Sequence, residues 1–311
     1  MVRVRVAVAL VLGVLSASSS LAQAPAPANP LWHEQKVKNY LPHMTSPEVQ
    51  DLLTRTDMVI LPVASLEQHG LQGPIGTDFL SGLERAKLIA QKTEVLVAPI
   101  LFPGNSPYHM AFPGTITLPA ETIQLVYFQA AQSLLAHGFK RFLFLNSHAG
   151  NAAIVQYVVD RINQETAGIA VELDAAAQPF LTRATRPGAP AFDRHGGVSE
   201  TSRSLYLTPN LVNMSTARTA PLTLLPHLQK MLPDVVAGDP TATRVFLAEA
   251  LKAAPTGKGT STKDMTETGV WSALDVKTAT AERGREETES SVNAAVAFIE
   301  RWKQLRPLGT K

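Results

Sequence analysis

The chain has 311 residues, of which 28 are Lys or Arg and 26 are Asp or Glu, with no cysteine and 45% hydrophobic residues. Near-balanced charge without a basic stripe of interleaved aromatics excludes nucleic-acid binding driven by electrostatics. The missing cysteines exclude disulfides and restrict any metal to nitrogen and oxygen ligands.

Arg3 and Arg5 precede an apolar run from Val6 to Leu15 and then small residues, the pattern of a secretory signal peptide. Residues 1–24 are assigned to it, with cleavage after Ala22 or Ala24. Its apolar part is too short to span a bilayer. The leader carries two Arg and no acid, so the mature chain holds 26 basic and 26 acidic residues. No second run of about 18 apolar residues follows, so the exported protein is expected to be soluble, periplasmic or extracellular, without membrane contact. Residues 25–45 read as an extended amino-terminal segment, and the Pro-rich tract Ala24 to Pro30 as a tether. About 285 residues remain, enough for one large domain.

Apolar runs rich in β-branched residues then alternate with helical patterns. Strands are expected at 58–63, 95–98, 141–145 and 169–173, and helices at 79–91, 119–136, 152–165, 200–207 and 286–305. The alternation predicts an α/β fold with a mostly parallel sheet covered on both faces. Asp78 precedes the first of these helices, where a carboxylate caps backbone amides, and Gly138 stops the second. The segment 175–194, with Pro179, Pro187, Gly188 and Pro190, reads as a long loop over a substrate site. The stretch 253–263 reads as a second loop. Its Lys258 is followed by Gly259, so it is not a phosphate loop.

Three polar clusters sit beside these elements. Leu66-Glu67-Gln68-His69-Gly70 follows the first strand, with Asp78 beyond it; Asn146-Ser147-His148-Ala149-Gly150-Asn151 follows the third strand. Asp193-Arg194-His195-Gly196-Gly197-Val198-Ser199-Glu200 leads into a helix. Glu67 and His69, at i and i+2, project to one side of an extended segment and suit one metal or a pair. Asp78 has two oxygens with which to bridge two ions. Hydrolytic metal sites are built from such residues at strand ends. A centre of this kind lowers the pKa of a bound water from 15.7 toward about 7. Each residue also has a plainer reading: Glu67 as a solvated charge, Asp78 as a helix cap, His148 as a hydrogen-bonded structural histidine. His33-Glu34 lacks the second histidine of a zinc-protease helix, and His33, His43, His137 and His227 receive no role.

The run from Leu61 through Glu67-Gln68-His69-Gly70 to Gly76-Thr77-Asp78, then Phe112-Pro113-Gly114-Thr115-Ile116-Thr117-Leu118, then the His148 and His195 clusters, resemble in order the signatures of the creatininase (creatinine amidohydrolase) family. Thr268-Gly269-Val270-Trp271 through Glu282-Arg283-Gly284 resembles its carboxyl-terminal segment. The resemblance implies a three-layer α/β/α domain over residues 46–307 and a homo-oligomer, commonly a hexamer. It implies two divalent ions, zinc and/or manganese or else iron. The implied reaction is hydrolysis of a small cyclic or non-peptide amide by metal-bound hydroxide. Carried over residue by residue, Glu67, His69, Asp78 and His148 are metal ligands, with Asp78 bridging. His195 is the proton donor to the leaving nitrogen, a role that suits an imidazole.

The departures carry information too. Creatininase has a metal-binding Glu two residues after the histidine of the third segment, where this chain has Gly150. Glu200 is expected to fill that place, against the alternative that it only caps the helix it opens. Gln72 stands where many relatives have a second histidine and receives no metal role. His109 stands where relatives often have a histidine lining the site, as a substrate contact or else as a surface or core residue. The 175–192 segment has no tryptophan, whereas creatininase covers its substrate with aromatic loop residues, which argues against creatinine as substrate. Two rival functions are a periplasmic binding protein that captures a small ligand on the same fold, and a lactonase.

Overall fold

Strand β1 (Met58–Val63) is buried at all six positions because both of its faces are covered. It lies between β2 (Leu96–Val97) and β3 (Arg141–Asn146), and β4 (Ile169–Glu172) completes a four-stranded sheet of order β2-β1-β3-β4. Every pairing in it is parallel. The helices that follow the chain are α1 (Ser46–Leu53), α2 (Thr77–Thr93), α3 (Ala120–Ala136), α4 (Ala152–Glu165) and α5 (Leu173–Ala177). Beyond them come α6 (Val198–Leu207), α7 (Pro226–Ala237), α8 (Pro240–Ala250), α9 (Ser261–Met265) and α10 (Ala281–Leu305). This computed structural model describes residues 34–99, 103–181, 192–250 and 261–310. The expected leader, the tether, the middle of the 175–194 segment and most of 253–263 lie outside the described residues.

The side-chain period of two divides the core into two layers. Val59, Leu61 and Val63 of β1, with Phe142 and Phe144 of β3, pack against α1, α3 and α4. The intervening Met58, Ile60, Leu143 and Leu145 pack against α2, α5 and α10. The result is helix, sheet, helix, as expected. Phe142 and Phe144 are fully buried, and each such side chain contributes about 1.5–3 kcal/mol of transfer free energy. No helix among the described residues is long and apolar enough to cross a membrane.

Several expected boundaries move. The helix expected at 79–91 begins at Thr77, with Gly76 at the N-cap position, so Asp78 lies in the first turn and is not the cap. Leu173, expected to end a strand, begins α5, whose first amides are accepted by the Glu172 carboxylate (Asp174 N at 3.2 Å, Ala175 N at 2.6 Å). The expected loop 175–194 therefore opens as helix, and it closes as strand β5 (Asp193–His195). That strand pairs antiparallel with β6 (Trp271–Ser272) across a register shift. Both are too short to show a period.

Helices α7 and α8 are not among the expected elements, and Pro226, Pro233 and Pro240 fall within them. Pro226 falls in the first turn of α7, where the missing amide costs nothing, and Pro240 opens α8. These helices form a separate apolar cluster, in which Phe246 stacks on Trp271 and both meet Phe192.

Candidate metal centre

The residues named from the sequence meet at the carboxyl ends of the central strands, where open parallel sheets place their ligands. Glu67 and His69 lie on the segment leaving β1, which is held by Glu67 N donating to the Ile75 carbonyl (3.1 Å) and by an isolated bridge between His69 and Gly73. Asp78 is in the first turn of α2, where the helix dipole favours a carboxylate. His148 follows β3, His195 ends β5, and Glu200 is in the first turn of α6. Gly196 is held at φ +58° between the last two. A Cβ there would come within 2.9 Å of the Gly70 amide, so glycine lets the His195 turn lie against the His69 turn.

Asp78 divides its two oxygens. Oδ2 lies 3.1 Å from His148 Nδ1, and Oδ1 lies 3.2 Å from His69 Nε2. Glu67 Oε1 is 3.3 Å from His148 Nδ1, 3.5 Å from His195 Nδ1 and 3.5 Å from His109 Nε2. Glu200 Oε2 is 3.6 Å from His69 Nε2. Ligating atoms therefore gather in three groups, each within 4.8 Å: Glu67 with Asp78 and His148, His69 with Asp78 and Glu200, and Glu67 with His69 and His195. Glu67 Oε2 and His69 Nε2 are buried yet have no hydrogen-bond partner. Buried polar atoms are rarely left so, and a divalent ion satisfies an acceptor oxygen and an imidazole lone pair together. The donor set, all nitrogen and oxygen, fits zinc or manganese.

The supporting contacts orient each ring. His69 Nδ1 donates to the Glu67 carbonyl (3.1 Å), which leaves Nε2 facing Asp78 and Glu200. His148 Nε2 donates to the Asn105 carbonyl (3.0 Å), which leaves Nδ1 facing Glu67 and Asp78. His195 Nε2 lies 2.6 Å from the Gln68 carbonyl, an acceptor only, and 2.9 Å from the Gln68 side-chain nitrogen; the shorter contact puts the hydrogen on Nε2 and leaves Nδ1 its lone pair. His109 and His195 stack with centroids 4.0 Å apart, and the Gln68 carboxamide donates to His109 Nδ1 (3.2 Å) and to the Gly269 carbonyl (3.2 Å).

Charge explains the proton affinities of the metal-free centre. Burial opposes charge on every group, but three carboxylates crowd the imidazoles. Burial lowers His69, yet Asp78, Glu200 and Glu67 outweigh it and raise its pKa to about 10. His148 is likewise raised well above its ordinary value by Glu67 and Asp78 against burial. Burial pushes Asp78 up, but His69 and His148 bring it down to about 2, and Glu67 is held well below the carboxylate range by His148, His109 and His195. His109 and His195 go the other way. Burial, and then the neighbouring imidazoles, lower both, His109 to about 2, so both stay neutral near pH 7.

Two departures noted in the sequence acquire a structural account. A Cβ at Gly150 would collide with Tyr108 Oη and lie 2.5 Å from the Asn105 carbonyl, so no carboxylate fits there, and Glu200 reaches the His69 side of the centre instead. Glu200 Oε2 also accepts from Gly196 N (2.7 Å), but the amides that open α6 are capped by Asp193, from Val198 (3.0 Å) and Ser199 (2.9 Å). Gln72 ties the His69 turn to the entry of α6, donating to the Gly196 carbonyl (2.8 Å) and Thr201 Oγ1 (3.0 Å). His109 is buried inside the site and is not a surface residue.

Other functional neighbours escaped the sequence reading. Gln68 lay within a quoted motif, between two metal-type residues, and its role in holding His109 and His195 could not be seen without the fold. Tyr108 Oη lies 3.3 Å from His148 Nε2, and Tyr108, Leu247 and Trp271 line the 180 Å³ cleft over the centre. Ser65 Oγ donates to Asp78 Oδ2 (3.2 Å).

A model of the creatininase family, described as creatinine amidohydrolase, matches residues 42–299. The chain is similar to the mycofactocin precursor peptide peptidase of Mycobacterium ulcerans, 28% identical over 201 residues, which are 59% of this chain and 75% of that protein. It is similar to the creatinine amidohydrolase of Pseudomonas putida, 30% identical over 202 residues, 60% of this chain and 76% of that one. Among solved structures, a zinc–zinc form of a mutant creatininase matches with a TM-score of 0.62 at 21% identity, covering 88% of this chain and 100% of that chain. A manganese creatininase matches with a TM-score of 0.60 at 22% identity, covering 86% and 99%. Both likenesses are of fold. Matched over most of its length, with the signature segments folded into one polar centre, the chain belongs to the creatininase family.

Proposed function

We propose that the protein is an exported, metal-dependent amidohydrolase that cleaves a small cyclic or non-peptide amide at a dinuclear centre. The observation that carries this reading is the division of Asp78, whose Oδ2 turns to His148 and whose Oδ1 turns to His69, so that two ligand groups share one carboxylate. Glu67, Asp78 and His148 would hold one ion, and His69, Asp78 and Glu200 the other. When bound, such a pair supplies Lewis acidity toward a carbonyl and a more acidic water. Zinc and manganese are the metals of the matched creatininases and suit these donors.

The rest is the work of the chain's own groups. His195 Nδ1 points toward Glu67 with a free lone pair, so it can take a proton from water and return it to the departing nitrogen. Its ring is fixed by the stack on His109 and by the Gln68 carbonyl, so the proton moves without reorientation. The cleft holds 180 Å³, roughly six water volumes, which favours a small amide over a peptide. The basic and apolar leader supports export, and the family likeness supports a homo-oligomer.

The test is metal analysis joined to a substrate screen. Mature protein produced with zinc and manganese supplied is expected to carry about two ions per chain at the full donor set. It is expected to open at least one member of a panel of lactams, cyclic ureides and formamides in a chelator-sensitive way. His195→Ala should keep the metal and lose the turnover. Negligible metal, or turnover that survives both chelation and His195→Ala, would overturn the reading.

A further inference from the structure

A second cleft adjoins the first at Asp78, His148 and Glu200. It holds 260 Å³, roughly nine water volumes, between α2, α6 and the end of β3. Its walls include Ser81, Arg85, Asn146, Ser147, Asp174 and Arg203. Helical spacing explains the arrangement. Asp78, Ser81 and Arg85 stand at i, i+3 and i+7 on α2, and Glu200 and Arg203 stand at i and i+3 on α6. Each helix that turns a carboxylate to the metal centre thus carries a guanidinium one or two turns farther along the same face.

The two arginines differ in how they are compensated. Arg85 is buried, and its Nη2 lies 2.6 Å from Asp174 Oδ1. Arg203 has no ion pair among the described residues, and its Nε, like that of Arg85, is buried without a hydrogen-bond partner. Arg203 is half-buried, but a guanidinium Nε held out of water with no acceptor is costly to the free protein unless a ligand completes it. We propose that this cleft is an anion subsite, in which Arg203, with Arg85 beside it, receives the carboxylate of an amide substrate whose scissile carbonyl lies at the Asp78 end. Asp174 already offsets Arg85, and Asp78 and Glu200, which border the same space, would be taken up by the metal ions, so Arg203 is the one guanidinium of the cleft without a carboxylate of its own. That balance selects a monoanion and disfavours a phosphate dianion. The carboxylate is a planar, two-oxygen acceptor that a guanidinium fork matches. Assignment of the ligand as a substrate rests on the amidohydrolase reading; the capture of a carboxylate does not.

Manganese-loaded protein would be titrated calorimetrically with matched probes, pyroglutamate against 2-pyrrolidinone and N-formylglycine against N-methylformamide. The carboxylated member of each pair is expected to bind at least about tenfold more tightly, as a charge-assisted bidentate pair warrants. Arg203→Met should collapse that ratio to near unity, and Arg203→Lys should keep part of it. Melting temperatures of both variants check the fold, and a purely packing arginine would lower them without changing the ratio. Equal binding of both members overturns the subsite. So does a preference that survives in Arg203→Met, because the carboxylate then sits on the metals, and so does failure of every carboxylated probe to bind at millimolar concentration. Turnover of the same pairs separates the two readings. Preference without hydrolysis of these probes or of any member of the wider amide panel sinks the amidohydrolase assignment alone, whereas hydrolysis without preference sinks the subsite alone.

Discussion

The two edges of the central sheet both bury charge, and they treat it differently. At the amino edge Arg141 and Asp57 are nearly inaccessible, and their groups are paired: Arg141 Nε donates to Asp57 Oδ1 (2.6 Å) and Nη1 to the Arg306 carbonyl (2.8 Å). At the carboxyl edge Glu67, His69, Asp78 and His148 are as deeply buried, yet Glu67 Oε2 and His69 Nε2 are left open. The first arrangement closes on itself and serves the fold. The second has valences to spare, and the contrast shows that burial of charge marks function only where lone pairs remain unspent.

The sharpest way to break the comparison is to remove one carboxylate from each edge. Asp78→Ala takes an oxygen from two ligand groups at once, so stoichiometric metal binding and turnover should both vanish, as read by metal analysis and assay of the folded variant. Asp57→Ala should leave metal stoichiometry intact in the folded fraction. It strands the Arg141 guanidinium and is expected to cost about 3–5 kcal/mol in denaturant unfolding, whereas replacing both partners by apolar residues of similar volume should recover much of that loss. If Asp57→Ala also empties the metal centre, the two edges are coupled and the contrast fails.

The difference between the edges also governs what could be read beforehand. The central strands were legible because residues buried on both faces form continuous apolar runs, as at 58–63 and 141–145, and β4, half-buried at the edge, by its β-branched residues. The residues that gather at the carboxyl edge were legible as a set, since Glu67, His69, Asp78, His148, His195 and Glu200 stand in short polar motifs beside those runs. What escaped depended on tertiary partners. Strand β5 is three residues long and pairs with β6 from far along the chain. Helices α7 and α8 open on prolines that suit first turns, and α7 also carries Pro233 in its interior. Asp78 was read as the cap, two positions before its place in the helix, because Gly76, which offers no side chain, occupies the N-cap position. Nor does sequence alone show that Gly150 is sealed by Tyr108, which is the physical reason a carboxylate must come from elsewhere.

That substitution of one ligand for another gives the next test. Glu200→Gln keeps the shape and the bond from Gly196 N but removes a charge facing His69. It should weaken one of two metal-binding steps by about 10–100-fold and spare the other, a range set by losses at supporting contacts. Two unaltered steps in a competition titration, with turnover intact, would return Glu200 to a purely structural role.

The mildest effect is the most direct probe of the open valence at His69. In the metal-free protein its pKa is raised to about 10, because Asp78, Glu200 and Glu67 outweigh burial, so near pH 7 the ring carries a proton that an ion must displace. Metal affinity should therefore rise with pH, by up to about tenfold per unit for each proton released, and flatten above pH 10. Stability of the metal-free protein runs the other way. A histidine whose folded pKa is raised contributes fully below its unfolded value of 6.5 and loses that contribution as pH climbs through about 10. Melting curves between pH 7 and 10 should thus fall for the stripped protein and hold for the loaded one. The Arg141–Asp57 edge, with no histidine in it, predicts no such divergence, and identical pH profiles with and without metal would mean that His69 does not face the ion.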